Sequence, residues 1–93
     1  MSDLVIRDNP ERHRFEADLD DGSFAFAEYL LLKGRIIFTH TEVPPEDEGK
    51  GIGARVVKAA LEDTRKSGFK IVPACSFVVA YIRRHPEFDD SKR

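Results

Sequence analysis

The sequence predicts a mixed α/β fold: an antiparallel meander of four strands, then a helix, a parallel strand and a second helix. Three observations predict it. Residues 12–19 alternate apolar and polar side chains, the period of a half-buried strand. Residues 36–43 form an apolar, β-prone run that enters Val43-Pro44-Pro45-Glu46-Asp47-Glu48-Gly49-Lys50-Gly51-Ile52-Gly53, and a strongly periodic helix leaves it. A further strand and helix follow, and a strand–helix–strand order implies a right-handed crossover and a parallel pair.

Each element has its own justification. Leu4-Val5-Ile6-Arg7 reads as a short strand, and Asp8-Asn9-Pro10-Glu11 is dense in turn residues. In the next strand, residues 12–19, His13, Phe15, Ala17 and Leu19 share one face; Arg12, Arg14, Glu16 and Asp18 share the other. Asp20-Asp21-Gly22 supplies hairpin chemistry. Residues 23–32 are apolar on both faces, with Phe24, Phe26, Leu30 and Leu32 opposite Ala25, Ala27, Tyr29 and Leu31. The aromatics favour a central strand, while the helix propensity of Ala27-Glu28-Tyr29-Leu30-Leu31-Leu32-Lys33 leaves a helix open. Lys33-Gly34 makes the next turn, and residues 35–43 form the strand that feeds the glycines.

Beyond the glycines, Ile52, Val56, Val57, Ala60, Leu61 and Thr64 recur on one helical face, and Arg55, Lys58, Glu62, Asp63 and Lys66 take the other. Gly68 is placed to end this helix. Lys70-Ile71-Val72-Pro73-Ala74 is a short strand whose proline removes one ladder donor. A second helix runs from about Ser76 to Arg84, and Pro86 stops it by disfavouring helical dihedrals at His85. The tail, residues 91–93, is expected to fray.

At 93 residues the chain is expected to be one domain, residues 1–93. Its hydrophobic fraction of 41% argues against disorder. A formal net charge of −2 argues against nucleic-acid binding through bulk charge. Cys75 is the only cysteine, which excludes an intrachain disulfide and a cysteine-built zinc site; no metal is expected. No run approaches the ~18 apolar residues of a membrane helix, and no signal-peptide pattern follows Met1. A soluble protein of the reducing cytoplasm is the expectation, with no membrane partner. An exposed sheet edge leaves room for a monomer or a weak dimer.

The strand–glycine–helix junction is built to hold phosphate. Glycine lets backbone approach an anion closely, and the first N–H groups of a helix lack internal partners and carry partial positive charge. An anion satisfies both. The N–H groups of Glu48, Gly49, Lys50, Gly51, Ile52, Gly53 and Ala54 are the candidates, with Lys50, Arg55 or Arg84 adding charge. Glu46, Asp47 and Glu48 place three acids beside the same site, where they repel phosphate or attract a basic acceptor.

These residues resemble the GCN5-related N-acetyltransferase superfamily. Its signature is an Arg or Gln, two residues, Gly, one residue, then Gly or Ala, opening a helix. Gly51 and Gly53 fit the glycine positions, and Glu48 departs from the Arg or Gln. Val43 and Pro45 match the family's end to the preceding strand. His40-Thr41-Glu42-Val43-Pro44, Cys75, Tyr81 and His85-Pro86 are similar to a compact single-domain subgroup. The likeness covers roughly residues 35–88. It implies a minimal acetyltransferase-like mixed sheet, acetyl-coenzyme A as cosubstrate, and an amine-bearing acceptor: a small molecule, a protein lysine or an N-terminus. It also implies that two parallel strands splay near Pro73, and that backbone around Thr41 and Val43 pairs with the pantetheine arm.

Four residues are candidates for the chemistry. Where the family keeps a tyrosine, Tyr81 would protonate the departing thiolate; the plainer reading is a half-buried aromatic on an amphipathic helix. Cys75 is a nucleophile if a helix N-terminus lowers its pKa, or else a small buried hydrophobe, with direct transfer the family's norm. His40 and Glu42 share a strand face and suit a general base and its partner, or a solvated face. Two alternatives accompany an acetyltransferase acting by direct attack: a non-enzymatic coenzyme A-binding or protein-interaction module of the same fold, and a nucleotide-phosphate binder without acyl transfer.

Overall fold

The computed structural model describes residues 4–19 and 22–90. Five strands, β1 (Ile6–Asn9), β2 (Arg14–Asp18), β3 (Phe24–Leu32), β4 (Arg35–Glu42) and β5 (Lys70–Pro73), join two helices, α1 (Ile52–Lys66) and α2 (Ser76–Arg84). The sheet order is β1-β2-β3-β4-β5. The first three pairings are antiparallel, and β4 pairs with β5 in parallel through Ile36↔Ile71 and Phe38↔Pro73. The predicted meander and crossover are thus the observed topology. Among the described residues no helix is long and apolar enough to cross a membrane.

The core follows from the alternation. Phe15, Ala17, Ala25, Ala27, Tyr29, Ile36, Phe38 and Ile71 are buried on one sheet face. Three of them are alanines, so α1 lies close on the sheet with Val56, Val57, Ala60, Leu61 and Thr64 buried. Phe15, Tyr29 and Phe38 pack ring against ring at centroid distances of 5.4–6.4 Å. The second helix adds Val78, Tyr81 and Ile82.

Four local expectations need correction. The first strand is residues 6–9, not 4–7: Asp8 accepts the Tyr29 hydroxyl at 2.6 Å and the Asn9 side chain accepts from Arg12 N–H. Those polar residues are therefore satisfied inside or at the end of a strand, and the turn is a short 3-10 helix, Pro10–Arg12. The second strand begins at Arg14, because His13 adopts φ 55° as the cap of that turn; its ring stands edge-on to Tyr29 and is exposed. Glu16, expected on a solvated face, is 2% exposed, held by Arg14 at 2.7 Å and by Asn9 at 3.2 Å. The third strand is central, yet Leu30 and Leu32 stay about half exposed, since both helices leave the second sheet face uncovered there. The Asp20-Asp21 turn and the tail at 91–93 lie outside the described residues.

One irregularity positions the site. A bulge shifts the β3–β4 register so that Glu28 faces His40 while Tyr29 faces Phe38, leaving Thr39 extra. Without it Phe38, His40 and Glu42 would share a face. With it, Thr41 pairs with Ala27 on the α1 side, and His40 and Glu42 join Phe26 and Glu28 on the other.

Candidate functional site

A cleft of about 420 Å³ opens where β4 runs past the end of β5. It is lined by Thr41, Val43, Asp47, Glu48, Gly49, Gly51, Ile52, Gly53, Ala54 and Phe77. Past Pro73 the two parallel strands have no further ladder partners; the last link is Ala74 N–H to Phe38 carbonyl, 3.0 Å. The chain thus supplies a gap beside β4 and a helix start beneath it.

The floor is the start of α1. Gly51 is its N-cap at φ 76°, a left-handed conformation that L side chains resist, and Gly49 stands at φ 86°. Arg55 N–H to Gly51 carbonyl is the first helical bond, and no side chain caps this end. The N–H groups of Ile52, Gly53 and Ala54 therefore have no helical acceptor. A Cβ on Gly51 would meet nothing within 4 Å, so the surface in front of it is open. Such a helix start, facing an open cleft, can hold an anion.

Charge around this floor is mixed. The Lys50 ammonium is 3.1 Å from Asp47 Oδ1 and so already paired. Asp47 Oδ2 is buried without a hydrogen-bond partner. Arg55 is exposed on the first turn of α1. Arg84 is exposed in the last turn of α2, away from the cleft lining.

At the other end, Cys75 caps α2, and its thiol donates to the Thr41 hydroxyl across 3.6 Å. Burial alone would push this thiol up. The Thr41 hydroxyl, which turns to donate to the thiolate, and the backbone N–H groups of Val78, Phe77 and Thr41 outweigh it, and the thiol sits below its ordinary value. Thr41 and Cys75 thus come together at one end of the cleft whose other end is the glycine turn. On the opposite face of β4, His40 Nε2 lies 3.1 Å from Glu42 Oε1, both more than half exposed.

Tyr81 stands apart. It lines neither the cleft nor its rim; its ring stacks on His85 at 4.1 Å, and burial, then Glu62, then Glu87 raise its pKa. Phe77 was not singled out by the sequence. The signal available was an aromatic in the first turn of a helix, one residue before its buried face begins at Val78. Among the described residues no group of three or more His, Cys, Asp or Glu is placed to hold a metal ion.

Three comparisons bear on this arrangement. Residues 14–91 match the family described as GCN5-related N-acetyl-transferase. The chain is similar to Protein NATD1 of Xenopus tropicalis, 26% identical over 88 residues, covering 91% of this chain and 80% of that one. It is also similar to the solution NMR structure of a GCN5-like protein from Staphylococcus aureus. There the TM-score is 0.71 and the identity 28%, over 97% of this chain and 88% of the other.

Proposed function

Since the chain belongs to the GCN5-related N-acetyltransferase family, we propose that it moves an acetyl group from acetyl-coenzyme A to an amine by direct attack. The observation that carries this reading is that one cleft joins the uncapped start of α1 to Thr41 and Val43 beside the gap after Pro73. The N–H groups of Ile52, Gly53 and Ala54 hold the diphosphate, with those of Glu48, Gly49, Lys50 and Gly51 around it. Lys50 must first leave Asp47 to contribute, and Arg55 adds charge from outside. The backbone of Thr41 and Val43 pairs with the amides of the pantetheine arm. An N–H near Val43 meets the oxygen on which charge develops.

The acceptor is an amine that reaches the thioester from the face of β4 bearing His40 and Glu42. His40 takes the proton the amine releases, and Glu42 orients the ring. The amine nitrogen bonds to the carbonyl carbon, the carbon–sulfur bond breaks, and the sulfur leaves as a thiolate that takes up a proton. Tyr81 is the proton donor the family likeness implies, and it lies outside the cleft lining. The lowered thiol of Cys75 favours a second route, in which an acetyl group rests on Cys75 before the amine takes it. Trapping labelled acetate on Cys75 separates the two.

Tyr81 outside the cleft lining and His40 and Glu42 on the opposite face of β4 favour a different reading, a coenzyme A-binding module without turnover. Titration calorimetry with coenzyme A is the first test. Absence of binding at millimolar ligand ends both readings. Binding without release of free thiol against amines and peptides leaves only the module.

A further inference from the structure

Phe77 is the one large apolar side chain of α2 left open to solvent, 39% exposed, and it lines the cleft. Its inner edge is seated on Gly53. A Cβ built on Gly53 would lie 2.8 Å from Phe77 Cζ, 3.2 Å from Cε2 and 3.1 Å from a Val43 methyl. Gly53 is buried inside α1 with an ordinary helical backbone, so it is glycine here for space rather than for conformation. The ring therefore bridges the starts of both helices. It stands between the glycine turn at one end of the cleft and the Cys75–Thr41 contact at the other.

A ring at that place has a definite chemical meaning. The two ends of the cleft are polar, while Val43, Ile52 and Phe77 make the stretch between them apolar. A phenyl group half exposed at rest gains by covering uncharged carbon and gains nothing from a diphosphate. We propose that Phe77 is the wall that recognises the uncharged alkyl-amide arm of the acyl donor, and that Gly53 sets how deep that wall lies. This rests on the acetyl-coenzyme A reading above and adds the residue that separates an arm-bearing donor from a plain nucleotide diphosphate.

Calorimetry with coenzyme A and with ADP, which has the diphosphate but no arm, tests it. Wild type is expected to prefer coenzyme A. Phe77→Ala weakens coenzyme A about tenfold, the scale of one lost aromatic contact, and ADP by less than about twofold. Phe77→Leu, which keeps apolar volume, stays within about threefold of wild type for both ligands. Gly53→Ala pushes the ring into the cleft and weakens coenzyme A. In Gly53→Ala/Phe77→Ala that added loss disappears, because the displaced ring is gone. The leucine and alanine variants at 77 and 53 carry the test even if one of them folds poorly. Equal loss of both ligands in Phe77→Ala, no loss of either, or additive effects in the double variant overturns the proposal. A wild type that binds neither ligand, or both alike, overturns the donor reading and this inference with it. A wild type that prefers coenzyme A alongside an indifferent Phe77→Ala overturns this inference alone.

Discussion

At Cys75, burial and hydrogen bonding pull the thiol in opposite directions, and hydrogen bonding wins. The thiolate fraction at a given pH is then larger than for a free cysteine, which moves the pH at which alkylation sets in rather than its limiting rate. The midpoint of iodoacetamide reactivity against pH is expected below that of a free thiol, and Thr41→Val moves it back up by deleting the hydroxyl at 3.6 Å. An unmoved midpoint in Thr41→Val would show that the helix start acts alone. Gly51 raises a different question. Its φ of 76° is costly for a β-branched residue, and it caps the helix start proposed to hold the diphosphate. Gly51→Val is expected to weaken coenzyme A by at least about tenfold, or about 1.4 kcal/mol, in calorimetry. Undiminished affinity would place the phosphate elsewhere. The glycine spacing made this residue legible in the sequence. The pairing of Thr41 with Cys75 was not, because residues 34 apart meet only through the parallel crossover.

Elements were legible where periodicity is long. The buried face of α1 and the limits of α2 are those the 3.6-residue pattern and Pro86 announce. The bulge at Thr39 left no such mark: inserting one residue keeps every side chain in place in the sequence but reverses which face receives Thr41 and Val43. The edge of β5 shows how a short strand tolerates proline. Lys70 N–H and Ala74 N–H point to β4, bonding Gly34 and Phe38, so residue 73 faces the open side, where a missing donor costs no ladder bond. The remaining donor on that side, Ile71 N–H, goes to the Asp90 carboxylate at 2.9 Å, and Asp90 also pairs with Arg65 at 2.9 Å. Neither Ile71 nor Pro73 therefore has an N–H to offer another strand on this edge. Asp90→Ala leaves the Ile71 donor and a partly buried guanidinium without their acceptor. A loss of about 3 kcal/mol is expected in urea denaturation, the scale of breaking one side of a buried pair. A loss under about 1 kcal/mol would mean that water replaces the carboxylate.

Across the whole molecule, the meander, the crossover and the order of all five strands were readable, because each rests on alternation, turn residues and handedness. Burial of charge was not readable. Glu16 sits in a strand whose pattern calls its face solvated, yet Arg14, Arg7 and Asn9 gather over it, and Arg14 in turn lies over the Phe26 ring at 4.5 Å. This cluster closes the helix-free side of the sheet near β1 and β2, where no helix packs. Burial pushes the Glu16 carboxyl up, but the hydrogen bonds from Arg14 and Asn9 and the charges of Arg14 and Arg7 outweigh it and hold it below its ordinary value. A carboxyl depressed on folding stabilises the native state above its unfolded pKa, and that contribution fades as pH falls through the folded value. Global stability is thus expected to drop on acidification below the ordinary carboxylate range. Glu16→Gln should lower the urea midpoint at neutral pH and flatten the drop between neutral pH and about pH 3, because the group that titrates is gone. An acid limb as steep in Glu16→Gln as in wild type would assign the pH dependence to other carboxylates and leave Glu16 a packing residue with a satisfied charge.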